Sequence, residues 1–319
     1  MSSGLHGPDH ASMDAIEIFG GRELRLLGAE PARDPDLVRV RHGVYAHARA
    51  VEVATVEERY LARIAAVATV RPKVILALES ALALHGLPFG LEPAFVFSTG
   101  DASTPGARAG VRHSHLPIAD AHVVEIGGVR CSSIPWTLAD VARRRAPGGA
   151  VPAIDAALRA GVVTKDDVTA ALSRQSRSSR RRARWSIAFA DGRSESVGES
   201  RSRVAIALLG FPAPELQVEV RTAEGLLRAD FGWWTDDGLL VGEFDGMVKY
   251  GALAAAAGRA GAQALAAEKA REDRLRRHAA VCRWTWRDIM QPARLERLLR
   301  DRGLPQRDRI LPPGVALRP

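Results

Sequence analysis

Residues 242–250 read Gly-Glu-Phe-Asp-Gly-Met-Val-Lys-Tyr and follow the apolar run Leu239-Leu240-Val241. Acidic residues are depleted in strands, which favour β-branched and aromatic side chains, so Glu243 and Asp245 need a reason to stand there. Asp230 lies upstream in a second apolar segment, 226–234. If Asp237-Gly238 forms a two-residue hairpin turn, Asp236 pairs with Leu239 and Asp230 falls opposite Asp245. Alternate residues on a strand share a face, so this register gathers Asp230, Glu243 and Asp245 on one side of the hairpin. A slip of one residue would set Asp230 opposite Phe244 and separate the acids.

Three carboxylates at such spacing repel one another unless positive charge sits among them. A hard divalent cation meets that need, and Mg²⁺ in particular takes one or two carboxylates together with phosphate oxygens. In this chemistry Asp230 and Glu243 hold the metal, with Asp245 beside them. Lys249 orients or activates a water, or stabilises charge developing on phosphate. Glu199, near the start of the preceding helix, adds a ligand or a base. The constellation fits metal-assisted hydrolysis of a phosphodiester. The plainer reading is that the acids are exposed at a strand end and Lys249 pairs with one of them.

The elements that must position these residues are legible nearby. The stretch from Ser196 to Gly210 reads as a helix, with Val204, Leu208 and Leu209 on one face and Gly210 as its stop. Residues 215–222, 226–234 and 238–246 read as strands, 252–279 as a long alanine-rich helix, 281–286 as a strand and 293–302 as a terminal helix. Helix, three strands, helix, strand, helix is an α/β order. Earlier in the chain, 37–47 reads as a hairpin bent at Gly43, 56–70 as a helix and 72–88 as a helix punctuated by Gly86 and Pro88. Strands are expected at 95–99 and 123–133, and helices at 136–145 and 152–163. Residues 1–15, rich in Gly, Ser and His, are expected to be disordered.

At 319 residues the chain exceeds one average domain. No apolar run reaches membrane-spanning length without a polar interruption, and the N-terminal residues lack the pattern of a secretory signal. Two cysteines are too few for a disulfide framework or a cysteine-based zinc site. A cytoplasmic protein with no membrane partner is expected. The net charge of +8 favours a polyanionic partner, DNA above all. Arginine far outnumbers lysine, however, and an arginine-rich composition without purpose explains the same charge. Residues 173–185 concentrate Arg174, Arg177, Arg180, Arg181, Arg182 and Arg184 among serines. They are either a solvated linker or frayed helix, or an arm that contacts the phosphate backbone.

Glu199 to Arg287 resembles the PD-(D/E)XK nuclease superfamily, and more closely the domain related to very short patch repair endonucleases. The resemblance rests on GESRSR (198–203), FPAPELQV (211–218), RADF (228–231), GEFDGMVKY (242–250), EKAREDRLRR (268–277) and CRWTW (282–286). It implies a restriction-endonuclease-like core, a mixed sheet flanked by helices, acting on DNA with Mg²⁺. Carried over by position, Glu199 matches the acid of the first core helix, Asp230 the first strand acid and Glu243 the second. Asp245 stands where the superfamily places a lysine, and Lys249 is the neighbouring candidate for that part.

The chain before residue 173 is similar to AbiEi-type antitoxin and regulator proteins. This likeness rests on VRHGVYAH (40–47), ALESALALHGLP (77–88), SSIPWTLADVAR (132–143) and AIDAALRAGVVT (153–164). It implies a winged-helix remnant over 16–65 and an α/β AbiEi-like domain over 66–172, joined through 173–195 to the nuclease-like domain of 196–319. A multidomain α/β and α+β chain follows. Its expected function is that of a Mg²⁺-dependent endonuclease associated with DNA. The alternative is a non-catalytic transcriptional regulator or antitoxin with a cognate toxin as partner. Nothing in the sequence fixes the oligomeric state.

Overall fold

A computed structural model describes residues 16–100, 106–246 and 259–307. The tail expected over 1–15 lies outside them. The chain is mixed α/β and divides into two compact units, Met1–Arg145 with Ala160–Ile187, and Ala146–Arg159 with Ala188–Pro319.

In the first unit β1 (Ile18–Gly20), α1 (Gly21–Leu26), β2 (Leu37–Arg41) and β3 (Val44–His47) build a three-stranded antiparallel sheet in the order β1-β3-β2. The expected hairpin is there, and Gly43 turns it at φ +75°, a region open to glycine. Then come α2 (Ala48–Val53) and α3 (Val56–Val70), the latter matching its expected limits. Thr55 and Glu58 form a reciprocal capping box at its start.

Next in the chain are β4 (Ile75–Leu76), α4 (Leu78–Leu84), β5 (Val96–Thr99), β6 (Gly106–Arg108), β7 (Val111–Ser114), β8 (Val123–Ile126) and β9 (Val129–Ser132). They form a mixed sheet ordered β6-β7-β5-β4-β9-β8. The single helix expected over 72–88 is therefore a short strand followed by a helix. Ile75 and Leu76 pair with β5, and Leu76 also pairs with Cys131 of β9, so sheet pairing overrides their helical surroundings.

The helices α5 (Ile134–Arg144), α6 (Pro147–Arg159), α7 (Lys165–Arg174) and α8 (Arg180–Phe189) follow. The stretch expected as a linker over 173–195 thus contains the whole of α8, anchored by buried Ala183, Ser186 and Ile187. The crossings between units fall at 145/146, 159/160 and 187/188, and α6 belongs with the second unit. A buried ion pair ties it there, Arg203 to Asp155 at 2.9 Å.

The rest of the second unit comprises α9 (Val197–Leu208), β10 (Glu215–Thr222), β11 (Gly225–Thr235), β12 (Gly238–Asp245), α10 (Arg259–Arg276), β13 (Ala280–Thr285), α11 (Trp286–Met290) and α12 (Pro292–Arg300). The sheet order is β10-β11-β12-β13, antiparallel except for the parallel pair β12–β13. A parallel pair needs a crossover, and α10 lies within it. The start expected for that helix, 252–258, lies outside the described residues.

Phe231, Trp233, Leu240 and Trp284 from the sheet pack with Ile206, Leu209, Leu295 and Leu299 from the helices. Trp233 and Trp284 are core residues, whereas Trp234, on the other face of the same strand, is largely exposed. Phe231 and Trp284 stack at 5.2 Å, and the Trp284 indole N–H donates to Ser202 Oγ at 2.8 Å.

Two glycines let this core close around the acids. A Cβ on Gly242 would come within 2.4 Å of Trp284, and one on Gly198 within 1.9 Å of Phe244. Gly198 precedes Glu199 in α9, and Phe244 follows Glu243 in β12, so their contact brings the two acid-bearing elements together. In an open helix, Gly→Ala gains about 1 kcal/mol from propensity. At 198 the collision outweighs that gain. Gly198→Ala is expected to destabilise the protein by about 1–3 kcal/mol, the usual cost of overpacking, in urea unfolding; a stabilised variant would contradict this packing.

Candidate active site

The β11–β12 hairpin pairs Thr235 with Gly238 and Phe231 with Gly242, so its loop is Asp236-Asp237. Continued by one step, this register sets Asp230 across from Glu243, where Asp245 was expected. The shift is two residues, which leaves Glu243 and Asp245 on their expected face. Glu243 and Asp245 share one side of β12, and Asp230 comes close enough for the charge of Glu243 to act on it.

Glu199 enters from α9. Ser196 caps that helix by accepting the Glu199 N–H at 3.1 Å, which fixes the first turn. The Glu199 carboxylate is buried, and its Oε2 accepts the Glu195 N–H and the Gln217 Nε2–H, both at 2.9 Å. Gln217 stands in β10 at φ +55°, a left-handed conformation that non-glycine residues rarely hold. It falls between the pairs Leu216–Phe231 and Val218–Ala229, so it lies across from Asp230. The strand is distorted at the position flanking the acids, as happens at functional sites.

Asp230 accepts the Phe244 N–H on Oδ2 at 2.9 Å. Burial pushes its carboxyl up to about 6, and the charges of Glu199 and Glu243 add to that. The Phe244 N–H and Arg271 pull the other way.

Glu243 has the most developed surroundings. Arg271 of α10 donates to its Oε1 at 2.7 Å, and Arg283 approaches its Oε2 at 2.5 Å. Arg283 is its direct neighbour in the parallel pair β12–β13. The other terminal nitrogen of Arg283 meets Glu272 at 3.1 Å, and Glu272 meets Arg276 at 2.6 Å. The result is an alternating chain of charge, Arg271–Glu243–Arg283–Glu272–Arg276. Two guanidinium groups thus compensate a buried carboxylate that would otherwise be costly.

This arrangement bears on the expected metal ligands, Asp230 and Glu243. Both Glu243 oxygens already face guanidinium groups, and one Glu199 oxygen already accepts two N–H groups. Among the described residues no three His, Cys, Asp or Glu side chains are disposed to hold a metal ion. As folded, these residues do not fit Mg²⁺. Asp245 is half-buried, lies opposite Thr285, and has no hydrogen bond or ion pair among the described residues. Lys249 lies outside the described residues.

The arginines expected to contact phosphate belong to the first unit and divide into two groups. Arg174, Arg177, Arg181 and Arg184 are exposed. Arg180 instead donates to the carbonyls of Ser173 and Gln175, and Arg182 to that of Arg143, so these two fasten the start of α8. The sequence expectations assign no role to three residues of the acidic centre: Gln217, which lies inside FPAPELQV, Arg271 and Arg283. Arg271 and Arg283 sit inside the stretches EKAREDRLRR and CRWTW, and a charged residue alternating with apolar ones in the second was the available clue.

Asp230 gives a pH test of the site. Its folded state holds the proton more tightly than the unfolded chain does, so the group costs nothing at low pH. The cost grows as pH rises from about 4 to about 6 and is complete above that. Asp230→Asn, which keeps an acceptor for Phe244, is expected to stabilise the protein at pH 7 by on the order of 2–3 kcal/mol. It should give no gain at pH 3.5 in urea unfolding, and an equal effect at both pH values would contradict the assignment.

No family model matches the chain. Two curated relatives from Mycobacterium tuberculosis do: the uncharacterized protein MT2308 of strain CDC 1551 / Oshkosh and the uncharacterized protein Rv2248 of strain ATCC 25618 / H37Rv. Each is 32% identical over 205 residues, which cover 62% of this chain and 70% of the relative. Among solved structures, the crystal structure of the RV2827C protein from Mycobacterium tuberculosis aligns with a TM-score of 0.36 at 16% identity, over 65% of this chain and 84% of that one. On the strength of the sequence relatives, the chain belongs to the family of the uncharacterized Mycobacterium tuberculosis proteins Rv2248 and MT2308.

Proposed function

We propose that this is a DNA-associated regulatory protein of the cytoplasm whose second unit is a nuclease-like module that binds rather than cleaves. The order α9, β10–β12, α10, β13, with one parallel pair in a mixed sheet, supports the PD-(D/E)XK-type reading of that unit. The net charge of +8 and the exposed Arg174, Arg177, Arg181 and Arg184 support a nucleic-acid partner. The first unit is read as AbiEi-like, with a winged-helix remnant around the β2–β3 hairpin, and a cognate toxin is its proposed second partner. One observation carries the choice of binding over hydrolysis: both oxygens of Glu243 are occupied by Arg271 and Arg283. Among the described residues no helix is long and apolar enough to cross a membrane.

The second reading is the Mg²⁺-dependent endonuclease, with Asp230 and Glu243 on the metal, Glu199 and Asp245 assisting and Lys249 handling water or phosphate. It is favoured by the raised Asp230 carboxyl, which burial lifts first and the charges of Glu199 and Glu243 lift further.

The two readings separate in one experiment on the full chain. Supercoiled and linear DNA are incubated with it in Mg²⁺ or Mn²⁺, and binding is followed by mobility shift across a salt series. Retarded but uncut DNA is expected. Alanine at Arg174, Arg177, Arg181 and Arg184 should flatten the salt dependence by roughly 0.9 in log–log slope for each phosphate no longer neutralised. Nicking that disappears in Asp230→Ala or Glu243→Ala would establish the endonuclease instead, and absence of any binding would remove both readings.

A further inference from the structure

The two arginines on Glu243 are not equivalent. Arg283 belongs to the sheet itself: it neighbours Glu243 in the parallel ladder, and its second terminal nitrogen is turned to Glu272. The hydrogen bonds of the strand fix its backbone and hence its place. Arg271 arrives from outside the sheet, on α10, and reaches Glu243. Its Nη2 donates to Glu243 Oε1 at 2.7 Å, and its Nη1 lies 3.4 Å from the carbonyl oxygen of Arg228, two residues before Asp230. Its charge also acts on Asp230. Arg271 thus stands by Glu243 and within the field of Asp230, the two carboxylates that a bridging cation would need.

We propose that Arg271 is the resident cation of this centre, a tethered positive charge that takes the place of a divalent metal and keeps metal out. The proposal rests on the nuclease-like reading of the second unit and names what governs its acidic site. A guanidinium held on a helix is present at high effective concentration, whereas a metal must arrive from solution and shed water. A cation entering beside Glu243 would meet both arginines at close range, and like charges there disfavour it. Without the Arg271 charge, Glu243 keeps Arg283 among the described residues and its Oε1 is freed. Glu199 stays in its place through Glu195 and Gln217, which do not depend on Arg271.

The test is calorimetric titration of the full-length protein with MnCl₂, with the Mn²⁺ electron paramagnetic resonance signal as a second readout of bound metal. The wild-type chain is expected to give no saturable binding. Arg271→Gln should bind Mn²⁺ at least about tenfold more tightly than wild type, and Arg271→Gln combined with Glu243→Gln should lose that binding. Arg271→Lys keeps the charge and should stay silent; binding equal to that of the glutamine variant would overturn the proposal, because charge would not be what excludes the metal. Circular dichroism and thermal melting check each fold, and Arg271→Met, which keeps the aliphatic stem, replaces the glutamine variant if that one unfolds. A folded, uncharged variant as silent as wild type would overturn the tethered-cation role while leaving the non-hydrolytic reading in place. Saturable binding by the wild type, as tight as in the variant, would overturn both.

Discussion

The second unit depends on how one buried carboxylate, Glu243, is compensated. A lone ionised carboxylate in an apolar interior would take up a proton or force local opening. Here β13 and α10 each contribute a guanidinium, and the requirement to bring Arg283 and Arg271 to the same two oxygens fixes where both elements lie. Removing one partner of such a buried pair is far more costly than never having had it. The ion pairs therefore specify the arrangement of strand, helix and strand as much as they stabilise it. Asp230, in β11, is raised chiefly by its own burial, with the charges of Glu199 and Glu243 adding to it.

Packing enforces the same geometry from the other side of the sheet. Trp284 stacks on Phe231 beneath Gly242, and Phe244 presses against Gly198. These contacts hold β12 close to α9, which places Glu199 beside the hairpin acids. The left-handed Gln217 then reaches Glu199 from β10. Acid-bearing elements are thus brought together by apolar contacts, while the acids themselves are held by amides and arginines.

Much of this is legible in the sequence because it follows from local periodicity. Alternation locates β10, β11 and β12 within a residue or two, Ser196 and Gly210 bound α9, and the face shared by Glu243 and Asp245 is unchanged by a two-residue error in the turn. Asp236-Asp237, not Asp237-Gly238, forms the loop, and only tertiary pairing decides between such neighbours. The segment 72–88 departs from its expected form for a related reason: a two-residue strand wedged between β5 and β9 has no period to read. The partners of the acids are not legible at all. Glu243 and Arg283 are forty residues apart in sequence and become neighbours through a parallel crossover, and Arg271 reaches Glu243 from a helix whose pitch alone does not reveal its target. Acid spacing indicates a place for positive charge; it does not say whether the chain supplies that charge itself.

The most direct measurement is anomalous diffraction at the manganese edge from crystals of the full-length protein soaked in MnCl₂. The account predicts Arg271 and Arg283 still on the Glu243 carboxylate and no manganese peak between Glu243 and Asp230. A manganese ion ligated by both carboxylates, with Arg271 turned away, would contradict it.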